Sequence, residues 1–162
     1  MSEDTIGVLF ICLGNICRSP LAEALFRKTV VDEGLESRFR IDSAGTSGYH
    51  DGEPPDARTT DTARRRGVEV AGRSRRVTGA DIETFDLVVM DAENLRNVER
   101  LVAGNGATPR AVRLREFDPE AEGDLDVPDP YFGGPRGFEE VHEMVERAAR
   151  GLLEHIRREH GL

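Results

Sequence analysis

The chain has 162 residues and a formal net charge of −9, which is long enough for one domain with a real core and too acidic for nucleic acid to be the default partner. No apolar run approaches the ~20 residues needed to cross a bilayer, and residues 1–5 are polar, without a signal-peptide pattern, and expected to be flexible. The two cysteines, Cys12 and Cys17, exclude a disulfide scaffold and point to a reducing cytoplasm.

In chain order, Ile6 to Ile11 is nearly unbroken hydrophobic, as a strand covered on both faces of a parallel sheet must be. Ser19 followed by Pro20 reads as a helix start, with Ser19 as N-cap. Leu21, Ala22, Leu25, Phe26, Thr29 and Val30 then repeat at helical spacing, and Gly34 ends the helix. A second strand is expected over about Arg38–Asp42. The Gly-, Ser- and Pro-rich stretch from Ser43 to Pro55 reads as a loop able to wall a site. Asp56 can cap a helix ending at Gly67, and Thr78-x-x-Asp81 is a capping signal for a short one. Asp86–Met90 reads as a third strand. Asn94–Val102 is a helix with Leu95, Val98, Leu101 and Val102 inward, broken at Gly104–Gly106. Ala111–Arg115 is a fourth strand. Phe117 to Gly137 lacks periodicity, and a loop that long in a compact domain is usually functional. Phe138, Val141, Val145, Ala148, Leu152 and Ile156 mark a closing helix.

This alternation predicts an α/β three-layer sandwich, a four-stranded parallel sheet with helices on both faces. Cys12 to Arg18 then forms a short loop from a strand end into a helix N-terminus. Backbone N–H groups from Leu13, Gly14, Asn15, Ile16, Cys17 and Arg18 can converge there on an anion, and Gly14 and Asn15 tolerate the left-handed conformations such a cradle needs. A thiol at its mouth, beside a guanidinium and a helix dipole, is favoured as the attacking thiolate. Cys12 is thus a candidate nucleophile toward a bound tetrahedral oxyanion.

The motif Cys12-Leu-Gly-Asn-Ile-Cys-Arg18-Ser19, with Asp129-Pro130-Tyr131-Phe132 near the other end, resembles the low-molecular-weight protein tyrosine phosphatases. The likeness extends to Ile41-Asp42-Ser43-Ala44-Gly45, Thr84-Phe85-Asp86 and Met90-Asp91. It implies a single phosphatase domain over 1–162 with strand order 2-1-3-4, and a crevice beyond the carboxyl ends of strands 1 and 3.

The resemblance also implies an activity, hydrolysis of aryl phosphate monoesters, phosphotyrosine in proteins above all, through a phosphocysteine on Cys12. Arg18 would grip two phosphoryl oxygens, Ser19 would hydrogen-bond the sulfur, and Asn15 and Ser43 would brace the loop. Asp129 would protonate the departing phenol and later activate water. Turnover is therefore expected to be greatest on the acid side of neutral, with Cys12 ionised and Asp129 protonated. Tyr49, Tyr131 and Phe132 would line an aryl slot. No cofactor or metal is implied, and the four histidines read as surface residues. Asp124 and Asp126 read as solvated charges, as do the basic runs Arg64–Arg66 and Arg73–Arg76.

One departure stands out: many members carry a histidine that bonds the loop asparagine, and its place here is Gly72, so rigidity must come from elsewhere or be lower. Cys17 reads either as a redox partner for Cys12 or as a small apolar filler. Expected partners are phosphotyrosine-bearing proteins, with no nucleic acid and no membrane, and the chain as monomer or weak dimer. The competing readings are an arsenate reductase drawing on an external thiol, since mid-chain relay cysteines are missing, a protein-arginine phosphatase, which typically has threonine where Ile16 stands, and a cysteine phosphocarrier. Retention of both Arg18 and Asp129 favours hydrolysis.

Overall fold

The computed structural model describes residues 5–105, 111–132 and 135–162; the flexibility expected of residues 1–4 and the break expected at Gly106 lie outside them. Four strands, β1 (Ile6–Cys12), β2 (Phe39–Gly45), β3 (Asp86–Val89) and β4 (Ala111–Arg113), form one parallel sheet in the order β2-β1-β3-β4. The helices are α1 (Arg18–Asp32), α2 (Ala57–Arg65), α3 (Gly79–Thr84), α4 (Ala92–Asn105) and α5 (Pro135–His160). Among the described residues no helix is long and apolar enough to cross a membrane.

β1 explains its own composition. Val8, Phe10 and Cys12 face a core shared with Leu25 and Phe26 of α1 and Val145 and Leu152 of α5. Leu9 and Ile11 face a second core with Val98 and Val102 of α4. With both faces covered, polar residues have no side to occupy. The residue at the end of this strand is Cys12, paired in register with Gly45 of β2. The reversal of strand order beside β1 opens a crevice at that end.

The local signals behave as their chemistry requires, with corrections. Asp56 caps α2 through the Arg58 N–H, and Thr78 and Asp81 form a reciprocal capping box on α3. Ser19, by contrast, is not an N-cap: α1 already begins at Arg18 behind Cys17, and the Ser19 hydroxyl is spent on the Cys12 sulfur instead. β2 runs to Gly45, beyond the expected Asp42, because its end pairs with β1 up to Cys12. β4 is shorter than expected, giving way to a 3₁₀ turn at Leu114–Phe117. α4 continues through Gly104, and Leu101 on it is exposed rather than inward.

Candidate active site

At the carboxyl end of β1 a cleft of about 520 Å³ is lined by Cys12, Ile16 and Arg18 in its interior, by Leu13, Tyr49, His50 and Tyr131 along its walls, and by Asp129. Three groups converge on the Cys12 sulfur. The Ser19 hydroxyl lies 3.0 Å away, and the Asn15 and Ser19 N–H groups donate at 3.3 and 3.4 Å. Donors so placed at the start of α1 complement a negative sulfur.

Asn15 holds the loop's shape. It sits at φ 57°, in the left-handed region, where asparagine is tolerated better than most side chains. Its amide N–H₂ donates to Ser19 Oγ at 2.8 Å and Ser43 Oγ at 3.1 Å, and its carbonyl accepts the Arg75 N–H at 3.0 Å. Ser43 in turn donates to Glu23 at 2.7 Å. Gly72, where the resemblance leads one to expect a histidine, is exposed with φ 99°. The bracing comes from the next residues along: Arg75 through its backbone, and Ser74, whose hydroxyl donates to the Gly14 carbonyl at 2.9 Å.

Arg18 is buried and oriented from one edge. Its Nη1 donates to Asp91 at 2.6 Å and to the Val127 carbonyl at 2.9 Å, while Nη2 lies 3.6 Å from Asp129. Burial opposes its charge, but the neighbouring Cys12, Asp91 and Asp129 outweigh that and raise it further above the ordinary arginine range.

Asp129 is exposed at the rim, its other oxygen accepting the Tyr131 N–H at 3.0 Å in a turn that leads into Pro130–Phe132. The chain before it is tied to the body where Val127 N–H donates to the Met90 carbonyl and Ala92 N–H donates to Asp126. Asp126 is thus an anchor at the start of α4, not only a solvated charge.

Tyr49, largely exposed, and Tyr131 flank His50, at ring-centroid distances of 4.9 and 5.9 Å. The side chain of Phe132 lies outside the description. His50 is therefore a wall of the cleft rather than a free surface residue, and its Nδ1 pairs with Glu53 at 2.8 Å. His142 also departs from expectation, being fully buried on α5. Arg65 and Arg66 pair with Glu139 on α5, and Arg75 with Asp42 and Asp81, so those basic runs are partly stitched to the body. Cys17 is buried, and burial pushes its thiol up to about 12 against the opposing hydrogen bond from Thr59, which suits a filler better than an attacking thiolate.

Sequence reasoning missed Asp91, Ser74 and Arg75 as parts of the site. Asp91 was within reach, because a residue just past β3 must flank the crevice beside β1. Ser74 carried no signal, since it lies 60 residues from the carbonyl it holds.

The sheet order, the loop at the end of β1 and the acidic turn together define an α/β phosphatase. The family described as low molecular weight phosphotyrosine protein phosphatase matches residues 7–161, and the chain belongs to that family of hydrolases. A low molecular weight protein-tyrosine-phosphatase of Streptomyces coelicolor is 47% identical over 155 residues, 94% of each chain. The crystal structure of YfkJ from Bacillus subtilis superposes with a TM-score of 0.87 at 41% identity, covering 98% of this chain and 99% of that one. The drosophila arginine phosphatase DARP superposes at 0.85 with 30% identity, covering 93% and 97%.

Proposed function

We propose that the chain dephosphorylates phosphotyrosine in proteins by two in-line displacements at phosphorus. In the first, Cys12 Sγ attacks while Arg18 and the loop N–H groups hold the equatorial oxygens. The bond to the phenol oxygen breaks, and Asp129 supplies the proton it needs on leaving. In the second, Asp129, now a carboxylate, takes a proton from water as it attacks the phosphocysteine. The sulfur leaves as an anion onto Ser19 Oγ and the two N–H groups, and inorganic phosphate is released.

The observation that carries this reading is the convergence of Ser19 Oγ, Asn15 N–H and Ser19 N–H on one buried sulfur, with Arg18 and Asp129 in the same cleft. The tyrosine preference is supported by the wall of Tyr49, His50 and Tyr131, which suits a planar ring, and by Ile16 lining the interior where arginine phosphatases typically carry threonine. The two cysteines, both in the loop that ends β1, suit a reducing cytoplasm.

The test is turnover of para-nitrophenyl phosphate and of phosphotyrosine and phosphoarginine peptides, with EDTA present. The reading predicts metal-independent hydrolysis that favours phosphotyrosine and is abolished in Cys12→Ser. A preference for phosphoarginine would move the chain to the other substrate class, and a folded protein that hydrolyses none of them would overturn the reading.

A further inference from the structure

The peptide unit joining Gly14 to Asn15 is held from both sides. Its carbonyl accepts the Ser74 hydroxyl at 2.9 Å, and its N–H donates to Cys12 Sγ at 3.3 Å. The two dipoles of one trans peptide point in opposite directions, so fixing the carbonyl outward on Ser74 fixes the N–H inward on the sulfur. The unit needs such a hold. Gly14 places little steric restriction on rotation of this plane, and Asn15 is in the left-handed region, a conformation maintained only where its surroundings demand it. A flipped plane would turn a carbonyl oxygen toward the sulfur and toward any bound phosphoryl group.

Ser74 is itself fixed. It is 5% exposed, its N–H donates to the Glu53 carbonyl and its carbonyl accepts the Gly52 N–H, each at 2.8 Å. Glu53 in turn pairs with His50 on the aryl wall. Ser74 therefore joins the loop that carries the slot to the loop that carries the nucleophile.

We infer that Ser74 is a positioning residue for phosphoryl transfer: its hydroxyl locks the Gly14–Asn15 peptide against flipping and so keeps the anion cradle and the Cys12 sulfur in register. The inference rests on the phosphatase reading above. It assigns to Ser74 the bracing that Gly72 lacks a side chain to supply.

The experiment compares the parent with Ser74→Ala, Ser74→Thr and Cys12→Ser. It follows hydrolysis of para-nitrophenyl phosphate and of phenyl phosphate, whose leaving group is poorer, inhibition by orthovanadate, and the melting temperature. Because the cradle acts on the phosphoryl group and not on the leaving group, kcat/KM in Ser74→Ala should fall about tenfold on both substrates. Orthovanadate should weaken by a similar factor, the melting temperature should move by no more than about 4 °C, and Ser74→Thr should retain most of the activity. Parent-like turnover and vanadate inhibition in Ser74→Ala would overturn the inference, as would a loss confined to phenyl phosphate. Activity remaining in Cys12→Ser would instead overturn the phosphatase reading.

Discussion

Arg18 and Asp91 form a 2.6 Å ion pair across 73 residues of sequence, so the guanidinium at the base of the cleft is aimed from the second residue after β3. Asp91 has a second duty, accepting the Asn94 N–H at 2.7 Å at the start of α4. The two duties separate by substitution. Asp91→Asn keeps an acceptor for the helix but loses the charge that steadies Arg18, and should lower kcat/KM about tenfold, ~1.4 kcal/mol of transition-state stabilisation, with some loss of stability because buried Arg18 gives up a charged partner. Asp91→Ala should lose the same activity and a further ~1 kcal/mol of stability from the missing cap. Steady-state kinetics beside thermal melts checks both.

Asp118 ties the segment before the acidic turn to α5. It receives Arg115 at 3.2 Å and Arg147 at 3.1 Å and is itself buried. Burial alone would raise its carboxyl, but the bonds from Arg147, the Glu120 N–H and Arg115 outweigh it and hold it below the ordinary range. A carboxyl depressed in the folded state adds stability that is complete above its unfolded value of about 4 and is lost as pH falls through the folded value. Asp118→Asn should therefore cost about 3 kcal/mol at pH 7 and flatten the decline below pH 4 in urea titrations. A variant that keeps the parent's acid slope would contradict this.

His142 is fully buried, and among the described residues neither ring nitrogen has a hydrogen-bond partner; the Glu146 carboxylate lies 3.9 Å away. Burial, with Arg66 nearby, lowers its basicity. The unfolded chain thus takes up the proton first, and stability should drop as pH falls below about 6.5. His142→Phe removes the two orphaned groups, and should gain about 1 kcal/mol near pH 5 and less at pH 8. Chemical denaturation at the two pH values checks the sign.

Gly72→His adds a side chain beside the loop but should not tighten it. The backbone there has φ 99°, a strained conformation for any residue with a Cβ, costing about 2 kcal/mol. The Asn15 carbonyl already accepts the Arg75 N–H, and its amide donates to Ser19 and Ser43. The variant should melt earlier with kcat no higher than the parent's.

These relationships show which parts of the molecule the sequence could disclose. β1, α1 and the caps at Asp56 and Thr78 depend on near neighbours in the chain, and their signals are local. The loop from Cys12 to Arg18 was legible for the same reason: a strand end, a permissive Gly14-Asn15 pair and a helix start lie within a few residues. Ser19 misled because an N-cap and a sulfur ligand draw on the same hydroxyl, and only the fold decides which receives it. Leu101 fits the apolar period of α4, yet Val98 and Val102 already fill that face. The burial of His142 and the grip of Asp91 and Ser74 on the loop arise where distant segments meet, and no spacing within the chain carries that information.

The central claim is that the phosphoryl group passes through Cys12. The most direct measurement is acid quenching during turnover of para-nitrophenyl phosphate, followed by mass spectrometry of the peptides that contain Cys12 and Asp129, for the parent, Cys12→Ser and Asp129→Ala. The account predicts a phosphoryl group on Cys12 in the parent, more of it in Asp129→Ala on this good leaving group because water is no longer activated, and no turnover in Cys12→Ser. Turnover by the parent with the phosphoryl group on another residue, or undiminished in Cys12→Ser, would contradict it.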